Sequence, residues 1–84
     1  MEFCILTFRS ITPAQRGEAV LRRAGFLCGI QRTPRWMEAQ GCGYSIRLQR
    51  EQMEGGIRLL QERGIPFRKA YCRNEGGKME ELAL

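Results

Sequence analysis

Leu21-Arg22-Arg23-Ala24-Gly25-Phe26 ends one amphipathic helix of this chain, and Leu60-Gln61-Glu62-Arg63-Gly64-Ile65 repeats the pattern at the end of a second helix. In both stretches a glycine follows the last helical residues, where it can adopt the left-handed conformation that closes a helix. An apolar residue follows each glycine and can pack over the last turn. The repeat indicates that the chain is built as two halves, each with one helix.

Short apolar runs flank both helices. Residues 3–8 are apolar at nearly every position, which is typical of a strand in the middle of a sheet. Tyr44, Ile46 and Leu48 alternate with polar residues, which predicts a strand with one buried and one solvated face. We therefore expect strands at 3–8, 27–33, 44–49 and 67–72 and helices at 12–24 and 50–63. This β-α-β-β-α-β order predicts an α+β ferredoxin-like sandwich, in which a four-stranded antiparallel sheet carries both helices on one face.

The start of the first helix carries a capping pattern. Thr12 can act as the N-cap, Pro13 suits the first helical position, and Gln15 completes a capping box. Further along, Glu18 and Arg22 are spaced to form an i,i+4 pair on the solvent side.

Length and charge limit the possible functions. The 84 residues make one domain, which we place at 1–73, and the polar, glycine-containing remainder at 74–84 predicts a flexible tail. The formal net charge is +5, and several of the acids lie in that tail, so the body is more basic than the whole. A basic body is compatible with nucleic acid, an anionic metabolite or an acidic protein, and equally with a solvated surface that has no specific ligand.

The N-terminal residues show neither a basic leader nor a long apolar stretch, and no run of the sequence is long enough to span a membrane. We therefore expect a cytoplasmic protein without a membrane partner, whose cysteines stay reduced.

Cys42 is the candidate reactive residue. It lies between Gly41 and Gly43, immediately before the strand that begins at Tyr44, so a loop without neighbouring side chains would present its sulfur. The alternative is that the glycines only shape a turn and Cys42 is a small, half-buried packing residue.

The expected topology puts a positive environment beside this thiol. In a ferredoxin-like sheet the start of the third strand lies at the same edge as the end of the first, where Arg9, Ser10 and Thr12 precede or open the first helix. The helix N-terminus and Arg9, together with Arg35 and the backbone of Gly43, would favour the thiolate form.

The other three cysteines fall toward the opposite edge. Cys4 and Cys28 come early in their strands and Cys72 ends the last one, so we interpret them as packing residues, with a metal or disulfide role left open. The chain has no histidine and no C-x-x-C motif, which argues against a structural zinc site and against Cys–His catalysis. We expect no metal and no cofactor.

Four features in this order resemble a family of small bacterial domains of unknown function that are described as selenium/sulfur (Se/S) carrier-like. They are listed here in chain order: Leu6-Thr7-Phe8-Arg9-Ser10, the helix end at Leu21-x-x-x-Gly25, Thr33-Pro34-Arg35, and Cys42-Gly43 before a strand. The resemblance extends over residues 3–72. It implies that Cys42 accepts persulfide sulfur or selenium from a cysteine desulfurase and passes it to an acceptor protein, as a carrier rather than a stand-alone enzyme.

On this hypothesis Trp36 and Met37 would form part of a docking surface, although Trp36 could instead cover the core of a small domain. Two other functions remain open. Many RNA-binding domains share the expected topology, but the glycine-aromatic pattern of their central strands is absent, so nucleic acid is disfavoured. A regulatory module that forms a homodimer through the open sheet face, where Phe3 and Ile5 are expected, is the other alternative.

Overall fold

The computed structural model describes residues 3–33, 43–73 and 75–82. They form an α+β domain with two helices and five strands. In chain order the elements are β1 (Phe3–Phe8), α1 (Ile11–Arg23), β2 (Cys28–Arg32), β3 (Tyr44–Gln49), α2 (Arg50–Glu62), β4 (Ala70–Arg73) and β5 (Met79–Glu81).

The strands form one sheet in the order β2-β3-β1-β4-β5, and every neighbouring pair is antiparallel. The prediction of four strands is therefore wrong. The fifth strand lies in the segment predicted as a tail, and Gly77, at φ 83°, provides the left-handed residue of the turn that returns the chain to β4. Three residues with two glutamates give no alternating apolar pattern, so the sequence could not indicate this strand.

The core lies between the sheet and the two helices. The helix-facing sides of β1 and β3 contribute Leu6, Phe8, Ile46 and Leu48, all of them buried. Gly56 of α2 is also buried, and a Cβ built there would lie 3.0 Å from Leu48 Cδ1. The glycine therefore lets α2 approach the sheet more closely than a helix residue with a side chain would.

Both helix ends have the predicted glycine caps. Gly25 has φ 92° and Gly64 has φ 67°. The N–H of Phe26 donates to Leu21 C=O at 3.0 Å, and the N–H of Ile65 donates to the carbonyl of Leu60 at 2.9 Å. Each end thus has the six-to-one hydrogen bond of a Schellman motif, and the sequence repeat corresponds to a structural repeat.

The start of α1 differs from the prediction. The helix begins at Ile11 with Ser10 as its N-cap, so Thr12 and Pro13 lie inside the first turn. Pro13 is tolerated there because the first N–H groups of a helix have no partner within it. The capping box predicted at Thr12 is therefore wrong.

The fourth strand starts later than predicted, at Ala70 rather than Phe67. Two residues that precede β4 hydrogen-bond to Thr7 instead: Arg68 N–H donates to the Thr7 carbonyl at 2.8 Å, and Lys69 N–H donates to the Thr7 hydroxyl at 3.1 Å. A side-chain bond replaces one bond of the ladder, which delays regular pairing until Ala70.

Cys4 and Cys72 form a disulfide, which corrects both the packing role and the reduced state expected for them. They are directly opposite each other on β1 and β4, with Cα atoms 4.2 Å apart. That separation matches a non-hydrogen-bonded pair of an antiparallel ladder, where facing side chains are closest. Strand register, which the sequence does not give, decides this pairing.

Candidate functional site

The described residues of the predicted site lie at the edge of the sheet where β1 and β2 end and β3 begins. Phe8 at the end of β1 is paired with Tyr44 at the start of β3, and Tyr44 is paired with Arg32 at the end of β2. Just beyond these pairs, Thr33 N–H donates to Gly43 C=O at 3.0 Å. The residue that follows Cys42 in the chain is thus held by backbone pairing at the edge where β1 ends.

The N-terminus of α1 opens at the same edge. Ser10 has extended backbone angles and makes no side-chain capping hydrogen bond, and no acidic residue lies in the first turn. The N–H groups of this turn have no partner inside the helix, and no acidic side chain of the turn itself neutralises the positive end of the helix dipole. Arg9, Ser10 and Thr12 are all exposed. An anion placed here would meet backbone donors and a favourable field.

Four of the predicted site residues, Cys42, Arg35, Trp36 and Met37, lie outside the described residues. Their roles stay predictions. The structure does place Gly43 and the Arg9-Ser10-Thr12 segment at the same edge, because Phe8, which precedes Arg9, is paired with Tyr44, which follows Gly43.

Two buried hydroxyl residues at this edge were missed by sequence reasoning. Ser45 is fully buried and Thr33 is 6% exposed, and neither side-chain oxygen has a hydrogen-bond partner within the part of the chain that the structure describes. Both are on the face of the sheet turned away from the helices, as is Thr7, which is paired with Ser45. The alternation in β3 predicted a solvated Ser45, and no local signal indicates its burial.

Cys28 is the free cysteine among the described residues, and its environment does not activate it. Its thiol is half-buried and donates to the backbone carbonyl of Glu18, with Sγ and O 4.0 Å apart. Burial raises the pKa of the Cys28 thiol, the Glu18 carboxylate raises it further, and Arg22 opposes both. A thiol that resists ionisation is a poor nucleophile at neutral pH.

The edge strand β2 is covered by side chains of α1. Glu18 Oε2 accepts from Ile30 N–H at 3.1 Å, and both Nε and Nη2 of Arg22 donate to Cys28 C=O, at 3.3 and 3.2 Å. The two side chains also pair with each other at 3.5 Å, as their spacing predicts. Two backbone groups of this edge, Cys28 C=O and Ile30 N–H, are therefore unavailable to a further strand.

A groove of about 850 Å³ surrounds Cys28 at the edge opposite Gly43. Phe3 and Leu27 line it and are 37% and 67% exposed, and the guanidinium of Arg47 lies 4.7 Å from the Phe3 ring centroid. Ile5, expected beside Phe3 on an open apolar face, is only 4% exposed. The apolar area offered by this face is therefore smaller than the dimer hypothesis assumed.

Within the described ranges, no group of three or more Cys, Asp or Glu side chains is arranged to hold a metal ion. Neither of the two described helices has the length and apolar character needed to cross a bilayer.

Comparison with known proteins gives one positive result. No curated protein and no solved structure matches the chain. The family model described as "Putative Se/S carrier protein-like" matches residues 3–72, from β1 to the third residue of β4, and includes the Cys42-Gly43 pair. This chain belongs to that Se/S carrier-like family.

Proposed function

We propose that the protein is a carrier that holds sulfur or selenium on Cys42 between a cysteine desulfurase-type donor and an acceptor protein. The observation that carries the proposal is that the three other cysteines are unsuited to this task. Cys4 and Cys72 are bonded to each other, and burial and Glu18 raise the pKa of Cys28. In a family described as Se/S carrier-like, Cys42 is then the remaining thiol that could hold the sulfur or selenium.

The surroundings of Gly43 support the role chemically. Gly43, which follows Cys42 in the sequence, is paired to Thr33 at the edge of the sheet where β1 ends. The uncapped first turn of α1 opens at this edge, and Arg9 precedes it. Donors and positive charge favour thiolate over thiol, and they favour a terminal persulfide anion for the same reason.

The transfer is a thiol exchange without net oxidation. The Cys42 thiolate attacks the terminal sulfur of the donor's persulfide, a new S–S bond forms, and the donor's cysteine leaves as a thiolate. Cys42 then carries the terminal sulfur as a persulfide anion, and the acceptor removes it by the same kind of step. Terminal selenium exchanged in this way gives a selenosulfide. No base is required if the thiol is already ionised.

The proposal is tested by incubating the protein with a cysteine desulfurase and cysteine and then measuring its intact mass. We expect an added sulfur atom in the parent protein and in Cys28→Ser, and none in Cys42→Ser. An adduct that persists in Cys42→Ser, or that depends on Cys28, contradicts the assignment. The Cys28→Ser variant is the matched control because Cys28 is the free thiol among the described residues.

A cytoplasmic location and a homodimer through the sheet face remain predictions. Nucleic-acid binding remains the less favoured alternative. The exposed aromatic of β1, Phe3, is already covered in part by Arg47, which leaves less of its ring for a base to stack on.

A further inference from the structure

A second groove, of about 460 Å³, runs between the outer surfaces of α1 and α2. Three arginines surround it: Arg16 and Arg23 on α1, and Arg63 at the end of α2. All three side chains are exposed. Among the described residues no acidic residue lines this groove, and none of the three guanidinium groups pairs with a carboxylate.

This arrangement is not explained by the stability of the helices. Arg23 lies in the last turn of α1 and Arg63 is the C-cap of α2, where the helix dipole favours a cation. Arg16 lies in the second turn of α1, beyond the turn over which the dipole acts, so the dipole does not account for a cation there. Three like charges around one groove repel each other, and a ligand with negative charge would remove that repulsion.

The floor of the groove is apolar. Val20 and Leu59 are partly buried and pack against the core, and Ile65 is buried beneath them. Phosphate groups gain nothing from an apolar floor, whereas a protein segment can place aliphatic side chains on it and carboxylates against the arginines. The combination therefore favours an acidic, amphipathic polypeptide over a nucleic acid.

The spacing of the charges indicates the form of that polypeptide. Arg16 and Arg23 are seven residues apart on one face of α1, which corresponds to about 10.5 Å along the axis. A helix with two carboxylates two turns apart has the same spacing, and its apolar residues between them would face Val20 and Leu59. We propose that this α1/α2 groove docks an acidic amphipathic helix of a partner protein. The proposal does not depend on the sulfur chemistry of Cys42.

The test uses a phage-displayed library of random 16-residue peptides, selected on the full-length protein. Binding of the enriched peptides is then measured by fluorescence anisotropy. We expect enriched sequences to combine Asp or Glu with aliphatic residues. Their affinity should fall at least about tenfold, or about 1.4 kcal/mol, in the double variant Arg16→Gln/Arg23→Gln. It should also fall in Leu59→Asn, and it should weaken as salt is raised.

Arg47→Gln is the matched control, because it removes the same charge on the face of the sheet away from the helices; it should leave peptide affinity within about twofold, far short of the tenfold loss. Circular dichroism and thermal melting of each variant separate lost binding from lost folding. Several results would overturn the proposal: no enriched peptide, enriched peptides without acids, or equal binding to the double variant.

Two further outcomes would assign the groove to another occupant and also reject the proposal. One is binding of a 20-nucleotide single-stranded RNA that requires the arginines but not Leu59. The other is a dimer in sedimentation that Leu59→Asn dissociates, which would mean that a second copy covers the groove. Persulfide loading of Cys42 should proceed in all of these variants. A failure of the docking proposal can therefore be told apart from a failure of the carrier proposal.

Discussion

Reduction of the Cys4–Cys72 disulfide should remove a large share of the stability of this domain. The bond joins residues 68 positions apart, almost the whole length of the chain. In the chain-entropy treatment, closing a loop of this length lowers the entropy of the unfolded chain by about 14.7 cal/mol/K, or about 4.4 kcal/mol at 25 °C. A domain of this size has a free energy of unfolding of about 4–13 kcal/mol, so the reduced form keeps between almost none and two thirds of it.

The assay is urea denaturation followed by far-UV circular dichroism, with and without dithiothreitol, in a background of Cys28→Ser and Cys42→Ser. Comparing two redox states of one chain removes no buried atoms, so cavity effects do not enter. The matched control carries Cys4→Ala and Cys72→Ala as well, and its unfolding should not respond to the reductant. A change below about 1 kcal/mol on reduction of the parent would refute the entropic reasoning. So would an equal response of the control.

Three smaller perturbations test the packing, the strand edge and the thiol. Gly56→Ala should lower the free energy of unfolding by about 1 kcal/mol, because its Cβ would lie 3.0 Å from the buried Leu48 side chain, whereas Gly55→Ala makes only ordinary contacts and should raise it by up to about 1 kcal/mol. Shifts of the same sign for both variants in thermal melting would contradict this. Glu18→Ala should lower the free energy of unfolding by about 1–2 kcal/mol, because it removes the acceptor of the Ile30 N–H on β2, whereas the exposed Glu54→Ala should lower it by less than about 0.5 kcal/mol. Equal losses in urea denaturation would count against the role of Glu18 at the β2 edge. Since the pKa of Cys28 is raised in the folded state, its contribution to stability is complete below the ordinary value of 9.0 and is lost as pH rises through the folded pKa. Cys28→Ser should flatten that decline, and a pH profile of unfolding that is unchanged by the substitution would contradict this account.

Features that depend on local chain geometry were the ones that sequence reasoning predicted well. The glycine caps after α1 and α2, the bounds of α2 and the pairing of Glu18 with Arg22 all involve residues within one or two helical turns. The start of α1 was placed two residues late, because Ser10 and Thr12 are both acceptable N-caps and the choice between them depends on how the helix meets the sheet.

For the candidate site, the sequence predicted Cys42 as the reactive thiol, and that stays a prediction. The resemblance to the Se/S carrier-like family is confirmed by the family model, which matches residues 3–72. The sequence also predicted that Gly43 and the start of the first helix lie at one edge. In the structure Phe8 is paired with Tyr44 and Thr33 with Gly43 at that edge, and the roles assigned to Arg9, Ser10, Thr12 and Gly43 stay predictions. The burial of Ser45 and Thr33 was not predicted, because whether a small hydroxyl residue is solvated depends on what covers its face of the sheet.

By itself, the sequence determined the helices and their glycine caps, the first four strands to within a few residues, the basic charge, and the thiol between two glycines. These follow from side-chain periodicity and backbone preferences that act over a few residues. Only the tertiary structure decided the fifth strand, the Cys4–Cys72 bond, the covering of the β2 edge by α1, and the ring of arginines between the helices. The disulfide joins residues 68 positions apart, and the α1/α2 groove joins Arg16 to Arg63. The fifth strand and the β2 edge have partners nearer in the chain, but these contacts too depend on strand register and helix packing, which no local pattern of side chains specifies.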